Sequence, residues 1–276
     1  MNIQSSSSLC IIGGYDLLSK SFFSEVKLKH YNSIFINVNE KQINKRSIYN
    51  YEIFELKKII NTLKKHKVRD ILFIGKINRP NLSEFKNDGE IEKHLPSLIK
   101  AYRKGDGFVL ATVIKIFEKK GYNILSPLEI SNKFFLAKKD LSRLSGKADK
   151  YDINKSVKIL NDLSRYDNAQ AMVIVNGYIL AIEAAEGTDN LLKRTAIVRK
   201  KLKQLDRNAG FLVKIPKKNQ SKLIDLPVIG LKTLILVKKA NLSGIAINAK
   251  FTIIKNKIKF MKLAREYSIN IYNINS

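Results

Sequence analysis

The sequence predicts an α/β protein of two domains, an N-terminal Rossmann-like parallel sheet followed by a mixed α/β domain. Three observations carry that reading. First, short apolar runs alternate with helical patterns in the N-terminal half: LCIIGG (9–14), SIFINV (33–38) and DILFIG (70–75) read as strands, and FELKKIINTLKKH between the last two has apolar residues at helical spacing. A β-α-β rhythm of this kind implies parallel strands joined by right-handed crossovers. Second, AMVIV-NG-YILAIEA reads as two strands around Asn-Gly, the strongest short-range hairpin signal, so the second half holds at least one antiparallel pair. Third, periodicity weakens in SPLEISNKFFLAKKDLSRLSGKADKY (126–151). The domains are therefore read as 1–130 and 151–276, with 131–150 as linker.

The remaining elements follow in order. FVLATVIKIFEKKGYNILSP predicts a helix from about Phe108, a stop at Gly121 and a short strand before Pro127. VKILNDLSRYD is helical. Beyond the hairpin come a helix over about 190–205, a strand GFLVKIP, a proline- and lysine-rich loop, a helix near 231–240, the segments SGIAIN and FTIIKN, a last helix, and the strand INIYNI.

At 276 residues and 45% hydrophobic composition, the chain can bury a sizeable core. Its one cysteine, Cys10, lies in the apolar run LCII and cannot form an intramolecular disulfide, which fits a reducing compartment. The start MNIQSSSS lacks the charged region and apolar core of a signal peptide. The longest apolar stretches fall short of the roughly 20 residues that cross a bilayer. The expected location is cytoplasmic, with contact to a membrane surface left open. Lys and Arg number 51 against 24 Asp and Glu, a formal charge of +27, which points to an anionic partner: nucleic acid, phosphorylated substrate or anionic membrane. Only 10 of the 51 are Arg, the residue that reads bases and phosphates bidentately, so sequence-specific nucleic-acid readout is disfavoured. Abundant Ile, Asn and Lys also fit a codon bias.

Five constellations could carry chemistry. The turn Gly13-Gly14 ends the first strand, where backbone N–H groups can approach a phosphate, yet GGYDLLS does not match G-x-G-x-x-G and a tight turn alone explains it. GKINRP (75–80) would bring Lys76 and Arg79 to the carboxyl end of a strand, where open α/β sheets bind ligands; both could equally be solvated cations. In RKGDGF (103–108), Asp106 reads as a helix cap or as a metal donor. EAAEGTDNLLKR (183–194) spaces Glu183, Glu186 and Asp189 three residues apart, with Gly187 and Thr188 as the turn and N-cap into the next helix. Residues so spaced on a strand face opposite sides, so the three acids need not converge. The corner of Glu186, Gly187, Thr188 and Asp189 still suits Mg²⁺ with substrate phosphates, since Mg²⁺ takes one or two protein carboxylates and fills its other positions with water and phosphate. Finally, KIPKKNQSKLIDLPVIG (214–230) makes a cationic loop of Lys214, Lys217, Lys218 and Lys222, containing Gln220, ahead of Asp225. Spacing leaves open whether Asp225 is a general base, a metal ligand or an Asx-type turn before Pro227. Three histidines without partners and one cysteine exclude zinc spacing and a Ser-His-Asp order.

QAMVIVNGYILAIEAAEGTDNLLKR, KIPKKNQSKLIDLPVIG and SGIAIN together closely resemble the LpxI-type UDP-2,3-diacylglucosamine diphosphatases of lipid A synthesis. IIGG, GKINRP and KGDGFVLATVIKIFEKKGYNI are similar to that family in the same order. The resemblance implies hydrolysis of UDP-2,3-diacylglucosamine to 2,3-diacylglucosamine 1-phosphate and UMP, Mg²⁺ as cofactor, and a cytoplasmic enzyme working at the anionic inner-membrane surface. It makes Asp225 the catalytic carboxylate; with the reading of the residues above, the expected metal ligands are Asp225, Glu186 and Asp189, with Asp106 as a further donor. Substrate contacts then fall on Gly13, Gly14, Lys76, Arg79, Gly187, Thr188, Lys214, Lys217 and Gln220. Two departures stand out: Gly107 replaces the second acid of the family's usual G-D-D, and Tyr15 stands where a further glycine is usual. The rival reading from another class is a non-enzymatic nucleic-acid-binding protein, motivated by +27 and by 11 Tyr and 13 Phe for stacking. It leaves EGTD and DLPVIG unexplained, and nucleic acid is not an expected partner. A nucleotide-binding oxidoreductase is disfavoured by the missing glycine fingerprint. Self-association is compatible with the sequence.

Overall fold

A computed structural model describes residues 8–29, 32–39, 42–77, 89–143, 146–166, 168–202, 208–217 and 226–274. The chain divides into two compact units, Met1–Asn132 and Lys133–Ser276.

The first unit contains β1 (Ser8–Gly13), α1 (Leu17–Leu28), β2 (Ser33–Asn37), β3 (Ile48–Asn50), α2 (Leu56–Lys65) and β4 (Val68–Phe73). These are followed by α3 (Leu95–Tyr102), α4 (Asp106–Lys119), β5 (Asn123–Leu125) and the single turn α5 (Pro127–Ile130). Its sheet runs β3-β2-β1-β4-β5 with every pairing parallel. That is the strand order of a Rossmann half, and its reversal point lies between β1 and β4. The expected parallel sheet is therefore present. All six residues of β1 are buried, as a strand covered on both faces requires, which is why LCII reads as a continuous apolar run rather than an alternation. The α1 helix follows the glycine turn because Asp16 accepts from the Leu18 and Ser19 amides, at 2.7 and 3.0 Å, and so satisfies its first orphan donors.

The second unit contains α6 (Lys147–Leu163), β6 (Ala171–Val175), β7 (Tyr178–Ile182), α7 (Gly187–Lys201) and β8 (Phe211–Lys214). It continues with β9 (Val228–Ile229), α8 (Leu231–Lys239), β10 (Gly244–Ile247), β11 (Ile253–Ile254), α9 (Lys257–Glu266) and β12 (Asn270–Asn273). The main sheet runs β12-β10-β8-β6-β7, parallel from β12 to β8 and antiparallel from β8 to β7; β9 and β11 form a separate parallel pair. The mixed α/β character read from the sequence holds. Side chains alternate as the pleat demands. Val173, Leu212 and Ile245 face the core shared with Leu191 of α7, Leu234 of α8 and Phe260 of α9, whereas Met172, Phe211 and Ala246 face Ile153 and Leu160 of α6. The Asn-Gly hairpin forms as expected, with Asn176 and Gly177 at φ 48° and 80°, the two positive values of a type I′ turn.

Helix starts differ from the sequence reading. The α6 helix starts at Lys147, inside the stretch of weak periodicity. Beside buried Ile153, its attachment there includes polar anchors that hydrophobic periodicity does not register: Asp152 accepts from the Gly177 amide at 2.9 Å and Lys155 donates to the Gly177 carbonyl at 2.8 Å. The α4 helix starts at Asp106 with Gly105 as N-cap, so Asp106 is the first helical residue rather than the cap. Its carboxylate sits where it complements the positive end of the helix dipole.

Candidate functional site

The acidic corner is built by the end of β7 and the start of α7. The Glu183 amide donates to Ala171 at 2.9 Å and holds the chain on the sheet one residue past β7, which leaves the Glu183 side chain only 7% exposed. Residues 184–186 then turn, and Gly187 opens the helix at φ 75°, a conformation open to glycine and strained for residues with a Cβ. The N-cap is Glu186 and not Thr188 as expected; Thr188 lies inside the first turn. This shift changes the role of its hydroxyl. Thr188 Oγ1 donates to Glu183 Oε1 at 2.7 Å and accepts from Lys214 Nζ at 2.7 Å. The first turn of α7 carries no side-chain cap, which leaves its amides oriented toward an anion as at other helix starts.

Lys214 ends the strand GFLVKIP as expected and so does not belong to the cationic loop: it is the last residue of β8, paired with Ala171 and Ile247 and 5% exposed. A buried ammonium and a buried carboxylate thus flank one hydroxyl, an arrangement that satisfies two charges costly to bury singly. Beneath them the Gln170 amide donates to Glu183 Oε2 at 3.3 Å, while Gln170 Oε1 is buried without a hydrogen-bond partner among the described residues. Sequence reasoning placed no role on Glu183 as the partner of Thr188, nor on Gln170. The spacing of the acids was the available signal for the first, and nothing in the local sequence marks the second.

The other two acids are each compensated. Glu186 Oε1 lies 2.7 Å from Arg194, which also donates to Ile182 O at 3.0 Å and ties α7 back to the strand. That guanidinium holds the Glu186 carboxyl below the usual carboxylate range. Asp189 pairs with Lys232 of α8 at 2.8 Å. Both pairs are exposed and so weakly held. Among the described residues no three His, Cys, Asp or Glu converge, so no protein-only metal cage forms there. The hard oxygen donors of Glu186 and Asp189 do fit a Mg²⁺ that draws its other ligands from phosphate and water. Lys217 is half-buried beyond β8. Gln220, Lys218, Lys222, Arg79 and Asp225 lie outside the described residues.

In the N-terminal unit, Gly13, Gly14 and Lys76 meet at the reversal point of the sheet. A Cβ on Gly13 would stand 2.1 Å from Ile74 O, and one on Gly14 2.0 Å from Lys76 O. The glycines are therefore required by close backbone approach between the ends of β1 and β4. The Lys76 amide donates to Asp16 at 2.9 Å and its carbonyl accepts from Asn39 at 2.9 Å, leaving the side chain exposed. Gly14→Ala is expected to destabilise the protein by about 3 kcal/mol, since the added carbon meets backbone that cannot rotate away. A thermal midpoint unchanged from wild type would refute this packing account. The candidate contacts thus fall on both units, and Asp106, at the start of α4, lies on the first.

The family model described as the LpxI N-terminal domain matches residues 8–134, and that described as the LpxI C-terminal domain matches 140–272. The chain belongs to the LpxI family. A curated LpxI relative from Caulobacter vibrioides, named UDP-2,3-diacylglucosamine pyrophosphatase LpxI, is 35% identical over 195 residues, covering 70% of each chain. The acidic corner, Lys214 and the DLPVIG segment all fall inside the region matched to the LpxI C-terminal domain, and the glycine turn and Lys76 inside that matched to the N-terminal domain. Among the described residues of this LpxI family member, no helix is long and apolar enough to cross a membrane.

Proposed function

We propose that this protein hydrolyses the diphosphate of UDP-2,3-diacylglucosamine, a step of lipid A synthesis. Water adds to one phosphorus, the bridging P–O bond breaks, and UMP and 2,3-diacylglucosamine 1-phosphate leave. The observation that carries the reading is the corner of Glu183, Thr188 and Lys214, next to an uncapped helix start, within a chain matched along its length by the two LpxI domains. Lys214 and the first-turn amides of α7, that of Thr188 among them, supply positive potential for the diphosphate oxygens, and the Thr188 hydroxyl, itself held by Glu183, positions the Lys214 ammonium. Gly187, Lys217 and Gln220 are further contacts in this unit, and Gly13, Gly14, Lys76 and Arg79 are contacts proposed on the N-terminal unit. Asp225 acts as the catalytic carboxylate. Mg²⁺, when bound, offsets charge on the diphosphate, and Asp225 with Glu186 and Asp189 would hold it. Asp106 is a candidate donor on the N-terminal unit. A substrate with two acyl chains resides in a membrane, so the enzyme works from the cytoplasmic side as a peripheral protein. Its net charge of +27 favours an anionic surface.

The test is UMP release from UDP-2,3-diacylglucosamine with Mg²⁺ and with EDTA. UMP formed only with the metal is the expected result. Equal release in EDTA removes the metal from the reading, and no release under either condition removes the reaction.

A further inference from the structure

The N-terminal unit carries a second constellation at α3 and α4, apart from the glycine turn and Lys76. The two helices pack on each other and leave a cleft of about 330 Å³. Lys100, Lys104, Lys115 and Lys119 line it, all exposed, and no acidic side chain lines it among the described residues. Phe108 and Ile116 provide apolar lining, and the Lys104 ammonium lies over the Phe108 ring, 5.5 Å from its centre. His94, also at the cleft, has its Nε2 buried without a hydrogen-bond partner among the described residues, 4.0 Å from Glu90.

The helices themselves are unusual for a sheet-covering pair. Each of the six residues FVLATV (108–113) at the start of α4 is only half-buried, although five are apolar and together they span more than a full turn. In α3, Leu98 and Ile99 are likewise half-buried, and Ala101 is the one fully buried residue. A helix that covers a sheet normally buries one apolar stripe and turns a polar face outward. Here apolar surface and cations share the same exposed region, which is the composition of a helix that lies in a membrane interface.

We propose that the α3–α4 face docks the enzyme on an anionic bilayer, with the cleft lysines taking lipid phosphates and the first half of α4 entering the headgroup boundary. This rests on the reading that the substrate is a membrane-held glycolipid. The occupant is the bilayer surface rather than the substrate, because four cations serve several lipid phosphates, and the apolar run extends along the helix beyond the cleft.

The experiment is sedimentation of the full chain with vesicles of phosphatidylcholine alone and of phosphatidylcholine with phosphatidylglycerol, alongside hydrolysis of glycolipid presented in vesicles and in detergent micelles. Wild type is expected to bind only the anionic vesicles. The Lys104→Ala/Lys115→Ala variant, with an unchanged thermal midpoint, is expected to bind them about thirty-fold more weakly at low salt, from about 1 kcal/mol per lysine. It should lose activity on vesicles and keep it in micelles. Binding by the variant equal to wild type overturns the proposal, as does equal wild-type binding to both vesicle types. Equal loss of activity in micelles and vesicles also overturns it, since the cleft would then serve the substrate. If wild type hydrolyses nothing but the variant still loses vesicle binding, the reaction fails and the docking surface stands.

Discussion

Asp225→Ala is expected to lower UMP release on the order of a thousand-fold, the scale of removing a carboxylate from a catalytic group, while leaving the fold intact. The local framework supports the second half of that expectation. Just after Asp225, Leu226 is buried, Pro227 accepts from the Ile253 amide at 2.8 Å, and Val228 and Ile229 pair with β11. The DLPVIG segment is thus anchored on its C-terminal side by apolar burial and strand pairing that do not use the Asp225 carboxylate. Asp225→Asn separates charge from shape: it keeps the amide-sized side chain and should be nearly as inactive. The checks are UMP release at saturating glycolipid and the thermal midpoint of each variant. Turnover like that of wild type in either variant takes Asp225 out of the mechanism.

Lys214→Met has the second largest expected effect, and it falls on stability as well as rate. The methionine fills the stem of the lysine but removes the ammonium that donates to Thr188, so Glu183 stays buried with less compensation. Breaking a buried charged network from one side costs about 3 to 5 kcal/mol, and the thermal midpoint should drop accordingly. UMP release should fall further than stability explains, because the diphosphate loses a cation. The double variant Lys214→Met/Glu183→Gln, which removes both charges, should recover much of the lost stability without recovering activity. A single variant as stable as wild type would mean that Glu183 does not depend on Lys214. Recovery of activity in the double variant would mean that Lys214 serves only to balance Glu183.

Most strand positions, β3 and β9 excepted, and with them the parallel sheet and the hairpin, were legible in the sequence, because each is a property of local pattern: buried runs for β1, β2 and β4, and Asn-Gly at 176–177 between two apolar segments. The EGTD segment was equally legible as a strand-to-helix corner. Helix starts were not. The α7 helix begins at Gly187 because glycine adopts φ 75° there, and the one-position difference turned Thr188 from an expected cap into the hydroxyl between Glu183 and Lys214. The α6 helix begins earlier than its apolar spacing suggests because its first turns are held by Asp152 and Lys155.

What the sequence by itself determined is the order of most elements, the class of the two main sheets, and the membership in the LpxI family carried by segments along nearly the whole chain. Tertiary structure alone decided the meaning of individual residues. Gly14 is glycine because the backbone of Lys76, just beyond β4, passes where its Cβ would be. Lys214 is buried because β6 and β10 enclose β8, while the lysines of α3 and α4 stay exposed beside apolar surface that finds no core. One-dimensional pattern records which face of an element is apolar; the distance between two residues far apart in sequence arises only when the elements pack.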